Sequence, residues 1–176
     1  MRYLKQGLTY PHYLAEPFCR VANPGHSSFS LTVGSINHAD FDDLNSRSMG
    51  AKGDVSAFSR SGCGIWGMIK PDVVEYGGSY VESKSNPTIV TTNPSTCTQL
   101  MRSTLNGGNA FGNDDVGTSF STPKVSYIVS QLLKLYPDES VNLLRALVIQ
   151  GARLPNDGFN SPDGTIIKRM GYVCLH

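Results

Sequence analysis

The sequence predicts an α/β fold, and three observations support this prediction. Short apolar segments rich in β-branched residues occupy the first half of the chain and end at Gly, Pro or Asn, as strands do. Two segments with helical spacing of apolar residues follow each other closely in the last third of the chain. Glycine-rich loops separate the two kinds of segment. Strands that lead into closely spaced helices are typical of a sheet covered by helices.

The first predicted elements are strands. Leu31, Val33 and Ile36 bring apolar side chains into a segment bounded by turn residues, and the later segments are apolar or β-branched in a similar way. The predicted strands are 28–36, a segment near 55–59, 70–74 ending at Gly77-Gly78, and a short strand over 88–92 within polar surface loops, 79–103. Residues 153–176 are predicted to be loop.

Helical spacing begins at Ser121 and continues to Tyr136. Apolar residues recur there at intervals of one, three and four, which predicts a helix with a broad apolar face packed in the interior. A second helix is predicted from 138 or 139 to 150, with Asp138 as its N-cap and Gly151 as its C′ glycine.

Composition favours a soluble, single-domain protein and excludes some functions. The 176 residues carry 15 Lys and Arg against 14 Asp and Glu, so no basic field for binding nucleic acid is present. With 39% hydrophobic and 16% charged residues, the chain has enough apolar surface to bury a core. No run is long enough for the roughly 20 apolar residues of a membrane span. The sequence does not indicate the cellular compartment of the protein.

The cysteines and histidines do not predict a metal or cofactor site. Cys19, Cys63, Cys97 and Cys174 are widely spaced, with no C-x-x-C and no histidine at ligand spacing. We favour free thiols over disulfides, because a chain of this length is stabilised by its core. The four histidines are isolated and are expected in loops or on the surface. No loop carries the alternating carboxylates of a calcium site.

One segment carries a chemical signature, Gly-Thr-Ser-Phe-Ser-Thr-Pro at 117–123, directly before the most apolar predicted helix. Ser119 stands just before or within the first turn, where the helix dipole and free N–H groups can stabilise a developing oxyanion. Gly117 permits close backbone approach of a ligand. Pro123 is expected in the first turn, where it loses no hydrogen bond. The simpler alternative is that Ser119 or Thr118 only caps the helix.

Three segments together resemble the subtilisin-like serine proteases, or subtilases. Residues 117–123, followed by the small Ser126, resemble the nucleophile motif of that family. Residues 23–35 are similar to the strand that follows the family's oxyanion-asparagine loop, including its Pro-Gly entry and Val-Gly exit. Residues 57–62 and 69–73 resemble the FSSxG and KPDV segments upstream of the serine. Order and spacing agree, and the resemblance is strongest over 20–155.

The resemblance implies the C-terminal part of a subtilisin-like parallel-sheet domain, with a buried helix after the nucleophile serine. The implied activity is that of a serine endopeptidase, which cleaves peptide or protein substrates through an acyl-enzyme. Ser119 would be the nucleophile, a histidine would take its proton, an aspartate would orient that histidine, and an amide would complete the oxyanion hole. On this interpretation the whole chain, 1–176, is a partial peptidase domain.

The chain departs from the family upstream of Ser119. Neither the Asp-Ser/Thr-Gly nor the His-Gly-Thr segment occurs before the serine, and the Ala-Gly-Asn segment of the oxyanion hole is absent from 1–23. His26 and His38 stand where the family has no catalytic residue, and His12 has no Gly-Thr after it, so none of the three is expected to be the general base. A further departure is a tyrosine, residue 127, where the family usually has a small residue.

Three interpretations remain open. The favoured one is an incomplete catalytic domain that is inactive alone, because the family's aspartate, histidine and oxyanion asparagine belong to a missing N-terminal half. Such a domain should expose apolar surface beside Leu31 and along 125–135. The second is a non-catalytic, peptide-binding relative, and the third is an unrelated α/β binding module. Substrate preference stays open, because only 109–115 and 59–64 offer walls for a substrate pocket.

Overall fold

The structure, a computed structural model, describes residues 7–102, 114–153, 164, 167–168 and 171–173. The strands of this part are β1 (Val33–Ile36), β2 (Ser46–Ser48), β3 (Gly62–Cys63), β4 (Ile69–Lys70), β5 (Val73–Tyr76), β6 (Val81–Ser83), β7 (Val90–Thr91) and β8 (Tyr172–Val173). The α-helices are α1 (Thr118–Leu135) and α2 (Val141–Gly151), and the short 3-10 helices are His12–Ala15, Pro17–Cys19 and Ile65–Gly67.

A three-stranded parallel sheet positions the helices. β5 lies between β1 and β8, with Val73 opposite Val33 on one side and opposite Tyr172 on the other. α1 packs against β1 and β5, and α2 packs against α1. This arrangement is a mixed α/β architecture, so the predicted fold class is confirmed. Among the described residues, no helix has the length and apolar character needed to cross a membrane.

Two smaller antiparallel units accompany the parallel sheet. β2, β6 and β7 form one unit with β6 in the middle, and β3 pairs with β4 in the other. The predicted strand over 88–92 is present in shorter form as β7. The sequence did not predict β6, whose Val81 and Glu82 are buried, or β8, which lies in the predicted loop region 153–176. Both are very short strands, so periodicity has too few residues to reveal them.

The first predicted strand, 28–36, is longer than the observed one. Only its last four residues form β1, because polar groups hold the residues before it in another conformation. The N–H of Thr32 donates to Oδ2 of Asp72 at 2.7 Å, and the Thr32 hydroxyl donates to the Gly25 carbonyl. Side-chain bonds of this kind compete with the pairing of strands.

The prediction of a strand near 55–59 is wrong. Its first residue makes a single bridge to Ile36, and the chain then turns, with the N–H of Ser59 donating to the Ser56 carbonyl at 2.9 Å. Ser59 Oγ accepts from the N–H of Ser35 at 3.0 Å, and the Ser35 and Ser56 hydroxyls lie 2.7 Å apart. Backbone pairing along this edge of β1 is therefore confined to the residues around Val55, and serine side chains make the next contacts.

The predicted strand over 70–74 is divided in two. β4 ends at Lys70, the chain changes direction at Pro71 and Asp72, and β5 then continues to Tyr76. A proline has no N–H to donate, which is consistent with the break in pairing at this point. The predicted end at Gly77 is confirmed.

α1 is longer and less buried than the sequence predicted. It begins at Thr118, three residues before the expected start, and ends at Leu135. Ser121 and Val125 are buried in it, whereas Leu133 is 48% exposed and Leu135 is 71% exposed. The second half packs on the core through the partly buried Val129 and Leu132, so the prediction of a helix packed in the interior holds only in part. An exposed apolar surface on this helix is what an incomplete domain leads us to expect.

α2 has a different cap from the one predicted. Oγ of Ser140 accepts from the N–H of Leu143 at 3.2 Å, so Ser140, and not Asp138, is the N-cap. Gly151 is the last helical residue, and Ala152 occupies the C-cap position, so the predicted role of Gly151 as a C′ glycine is also wrong.

The core has one part on each face of the parallel sheet, because successive residues of β5 point to opposite faces. Val73 packs with Val125 of α1 and Val148 of α2. Val74 packs on the other face. The remaining buried residues of that second cluster are Tyr13, Leu14, Cys19, Ile36, Met49, Val55 and Ala57.

Buried charges connect α2 to the start of β5. Lys70 is fully buried, and its Nζ lies 2.5 Å from Oδ2 of Asp72 and 2.9 Å from the Ser30 carbonyl. Arg145 of α2 donates from Nη2 to Oδ1 of the same carboxylate at 3.0 Å and from Nη1 to the Ser28 carbonyl. Two cations therefore share one carboxylate inside the protein, with carbonyl oxygens as further acceptors, and Nε of Arg145 has no partner among the described atoms.

Gly77 provides a test of the junction between the sheet and α1. A Cβ atom at this position would lie 2.4 Å from Oγ of Ser35, 2.5 Å from Oγ of Ser121 and 2.6 Å from the Gly117 carbonyl oxygen. We predict that Gly77→Ala lowers the free energy of unfolding by about 3 kcal/mol, because overpacking displaces α1. Urea denaturation followed by circular dichroism measures the change.

The matched control for this substitution is Gly164→Ala, since a Cβ atom at Gly164 would meet no atom within 4 Å. It should change the free energy of unfolding by less than about 1 kcal/mol. Equal effects of the two substitutions would contradict the close contact at Gly77.

Candidate active site

Ser119 is the second residue of α1, and its side chain is exposed. The residue before the helix, Gly117, donates its N–H to the Gly77 carbonyl at 2.8 Å. Oγ of Ser121 donates to the Glu75 carbonyl at 2.9 Å. These two bonds join the first turn of α1 to the end of β5. Ser119 therefore lies at the edge where the carboxyl ends of the parallel strands β1 and β5 meet.

Neither Ser119 nor Thr118 caps the helix. The N-cap position belongs to Gly117, and no side chain makes a capping bond there. Among the described residues, the Ser119 hydroxyl has no hydrogen-bond partner. The first N–H groups of a helix have no acceptor within the helix and carry the positive end of its dipole. The arrangement combines an accessible hydroxyl with donors that can stabilise negative charge.

Pro123 lies deeper in the helix than the sequence predicted. It is the sixth residue of α1 rather than a residue of the first turn. An N–H at this position would donate to the carbonyl of Ser119, four residues earlier, so the proline leaves that carbonyl without its helical bond. The consequence is a locally weakened hydrogen-bond pattern directly at the candidate nucleophile.

The hydrogen bonds and ring contacts of the described histidines involve residues other than Ser119. His38 follows the end of β1, and its ring packs edge-on against Tyr76 with a centroid distance of 6.4 Å. His26 offers its carbonyl to the N–H of Ile65 at 3.2 Å, and His12 is exposed in a 3-10 helix. His176 lies outside the described residues. The expectation that His12, His26 and His38 do not serve as the general base stays a prediction.

The surroundings of His38 favour its neutral form. Burial lowers the pKa of His38, and the nearby Lys124 ammonium lowers it further. Lys124 itself donates to the Tyr76 carbonyl at 2.9 Å, and its ammonium lies 5.7 Å from the centre of the Tyr76 ring. Among the described atoms, Nδ1 of His38 is buried without a hydrogen-bond partner.

The two segments expected to offer walls for a substrate pocket differ in their surroundings. Residues 109–113 lie outside the described part, but Asp114 and Asp115 line an open pocket of about 360 Å³ that reaches Val116. In the other segment, 59–64, at least one side chain is buried in the protein. Ser61 in that segment is buried, and its hydroxyl donates to the Leu14 carbonyl at 3.1 Å.

The described residues contain no group of three metal-ligating side chains. Cys19, Cys63 and Cys97 are free thiols, and Cys174 lies outside the described part. Burial raises the pKa values of Cys19 and Cys97, which disfavours their reactive thiolate forms.

Comparison with known proteins identifies the family. The sequence profile of the subtilase family, the peptidase family S8, matches residues 16–172, which is most of the chain. The chain therefore belongs to the subtilase family. Membership supports a protease-like function in general and is consistent with the mixed α/β fold.

A relative in Sinorhizobium fredii (strain NBRC 101917 / NGR234), described as uncharacterized protein y4bN, is 32% identical over 170 residues. The match covers 86% of this chain and 37% of the relative, so the chain spans little more than a third of that protein's length. No solved structure is significantly similar to the chain.

The sequence does not predict two features of the site. Gly77 was recognised only as the end of a strand, although its lack of a side chain also lets α1 approach the sheet. Ser121 was recognised only as a motif residue, and its buried hydroxyl bonds to the sheet. The signal for both was the Gly-Gly pair directly after a predicted strand, since consecutive glycines mark close backbone approach.

His38 gives the site a dependence on pH that can be measured. Because its pKa is lowered in the folded protein, the unfolded chain, with a histidine pKa of about 6.5, takes up the proton first as pH falls. We predict that the free energy of unfolding decreases between about pH 7 and 5, and that His38→Gln removes part of this decrease. Urea denaturation at a series of pH values measures it.

The exposed His12 provides the matched control through His12→Gln, which should leave the decrease as it is in the parent protein. If His38→Gln and the parent protein show the same dependence on pH, the imidazole of His38 does not prefer its neutral form in the fold.

Proposed function

We propose that the chain provides the nucleophile-bearing part of a serine endopeptidase, with Ser119 as the nucleophile. The observation that carries the proposal is the position of Ser119 in the first turn of α1, exposed and without a hydrogen-bond partner among the described residues. Family membership supports protease chemistry in general. The particular role of Ser119 rests on its motif and its geometry.

In the proposed reaction, Oγ of Ser119 attacks the carbonyl carbon of a peptide bond while its proton passes to a general base. The resulting oxyanion is stabilised by free N–H groups at the start of α1 and by an amide from elsewhere. The base returns the proton to the leaving amine, and the C–N bond breaks to give an acyl-enzyme. Water, deprotonated by the same base, then hydrolyses the ester and restores Ser119.

We further propose that the general base lies outside these 176 residues. The described histidines make their hydrogen bonds and ring contacts with other residues, and the family's histidine and aspartate motifs do not occur before Ser119. The matched region amounts to 37% of the rhizobial relative, which leaves room in such proteins for a segment that carries the base. The exposed Leu133 and Leu135 of α1 are part of the surface that this segment would cover.

A fluorophosphonate probe, which reacts with activated serines, tests both parts of the proposal. We predict that the isolated 176-residue chain is labelled at least 100-fold more slowly than the complete product of its gene, because a serine without its base is a weak nucleophile. Mass spectrometry of the digested protein identifies the labelled residue, which should be Ser119.

Two variants complete the experiment. Ser119→Ala should abolish labelling of the complete protein. Ser126→Ala, an exposed serine of the same helix whose hydroxyl bonds to the Thr122 carbonyl, should leave labelling unchanged. Rapid labelling of Ser119 in the isolated chain would contradict the external base, and an unlabelled complete protein would contradict the nucleophile and favour a peptide-binding relative that does not cleave.

A further inference from the structure

We propose that the pocket beside Ser119 binds a lysine or arginine side chain of the peptide substrate. The pocket has a volume of about 360 Å³ and lies between the β6–β7 region and the segment that leads into α1. We call it the acidic pocket, after Asp114 and Asp115 in its wall. The inference rests on the function proposed above and adds a substrate class to it.

The acidic pocket lies close to the candidate nucleophile. Val116, which forms part of its wall, precedes Ser119 by three residues, a separation of at most about 11 Å along the chain. The bond between Gly117 and Gly77 holds the connecting backbone against the sheet. Residues of an extended peptide are spaced by about 3.3 Å. A side chain within two or three residues of the cleaved bond can therefore reach the pocket.

The walls of the acidic pocket suit a long side chain with an apolar stem. Tyr80, Val90 and Leu100 contribute apolar surface, against which the methylene groups of lysine or arginine can pack. The volume of the pocket lies at the lower end of the range for ligand sites, which favours a single side chain over a larger molecule.

The charges of the acidic pocket favour a cation. Among the described residues, Asp114 has one ion-pair partner, Arg102, whose Nε lies 3.5 Å from Oδ1 and whose side chain is 91% exposed, so the pair is weak. Asp115 accepts the N–H of Val116 at 2.8 Å and has no ion-pair partner among the described residues. At least one carboxylate therefore remains available to an incoming ammonium or guanidinium group.

A hydroxyl in the wall supports the same ligand class. Among the described atoms, Oγ1 of Thr91 has no hydrogen-bond partner, and Thr91 lines the acidic pocket. Rotation of the Thr91 side chain toward the pocket breaks no hydrogen bond within the described part of the protein. The hydroxyl oxygen can then accept from a cationic donor next to the carboxylates.

Peptide binding to the Ser119→Ala chain tests the proposal without depending on catalysis. Three fluorescein-labelled ten-residue peptides differ at one central residue, which is lysine, norleucine or glutamate, and fluorescence anisotropy gives their dissociation constants. Because norleucine keeps the stem and lacks the charge, we predict that the lysine peptide binds about three- to tenfold more tightly than the norleucine peptide. Equal binding of these two peptides, or no binding of any peptide, would overturn the proposal.

Asp115→Asn removes the carboxylate that has no ion-pair partner among the described residues, leaves Asp114 in place and keeps the shape of the pocket. It should reduce the preference for lysine over norleucine to less than about twofold. The matched control is Asp138→Asn, an exposed carboxylate in the connection between α1 and α2, which should leave the preference unchanged. A preference that survives Asp115→Asn, or that both variants reduce equally, contradicts the role of the pocket.

The outcomes separate this inference from the proposed function. Labelling of Ser119 by the fluorophosphonate probe without a preference for lysine contradicts the acidic pocket and leaves the nucleophile in place. A preference for lysine that depends on Asp115, without labelling of the complete protein, supports the pocket as a peptide-binding site and contradicts the nucleophile.

Discussion

The contact between Gly77 and the start of α1 is the constraint on which the candidate site depends. Because Gly77 has no side chain, Gly117 can donate its N–H to the Gly77 carbonyl, and the hydroxyl of Ser121 can reach the Glu75 carbonyl. These bonds set where the first turn of α1 begins relative to β5. Ser119 lies between the two bonded residues, so its exposed position at the edge of the sheet follows from them.

The opposite end of β5 is held by charge rather than by close packing. Asp72, directly before β5, is shared by Lys70 and by Arg145 of α2. Removal of the Asp72 carboxylate would leave two cations without their shared counter-ion inside the protein, which is costly. α1 is thus held at the carboxyl end of the strand and α2 at its amino end. Val73, Val125 and Val148 pack between these two attachments.

The sequence predicts the elements that repeat a pattern and misses those that depend on distant residues. The spacing of apolar residues predicts both helices, and the serine motif predicts the family, which the profile match confirms. The conformation before β1 depends on a bond between Thr32 and Asp72, 40 residues apart. The N-cap of α2 is Ser140 instead of Asp138, and two neighbouring capping residues cannot be distinguished by local preference. The role of Ser119 stays a prediction.

Trapping the acyl-enzyme tests directly whether Ser119 is the nucleophile. The complete product of the gene is mixed with a peptide p-nitrophenyl ester and quenched with acid within seconds, and the mass of the digested fragment that contains Ser119 is measured. We predict that this fragment gains the mass of the acyl group, and that the isolated chain shows no such gain in the same time. A complete protein that hydrolyses the ester without acylation of Ser119, or with acylation of another residue, would contradict it.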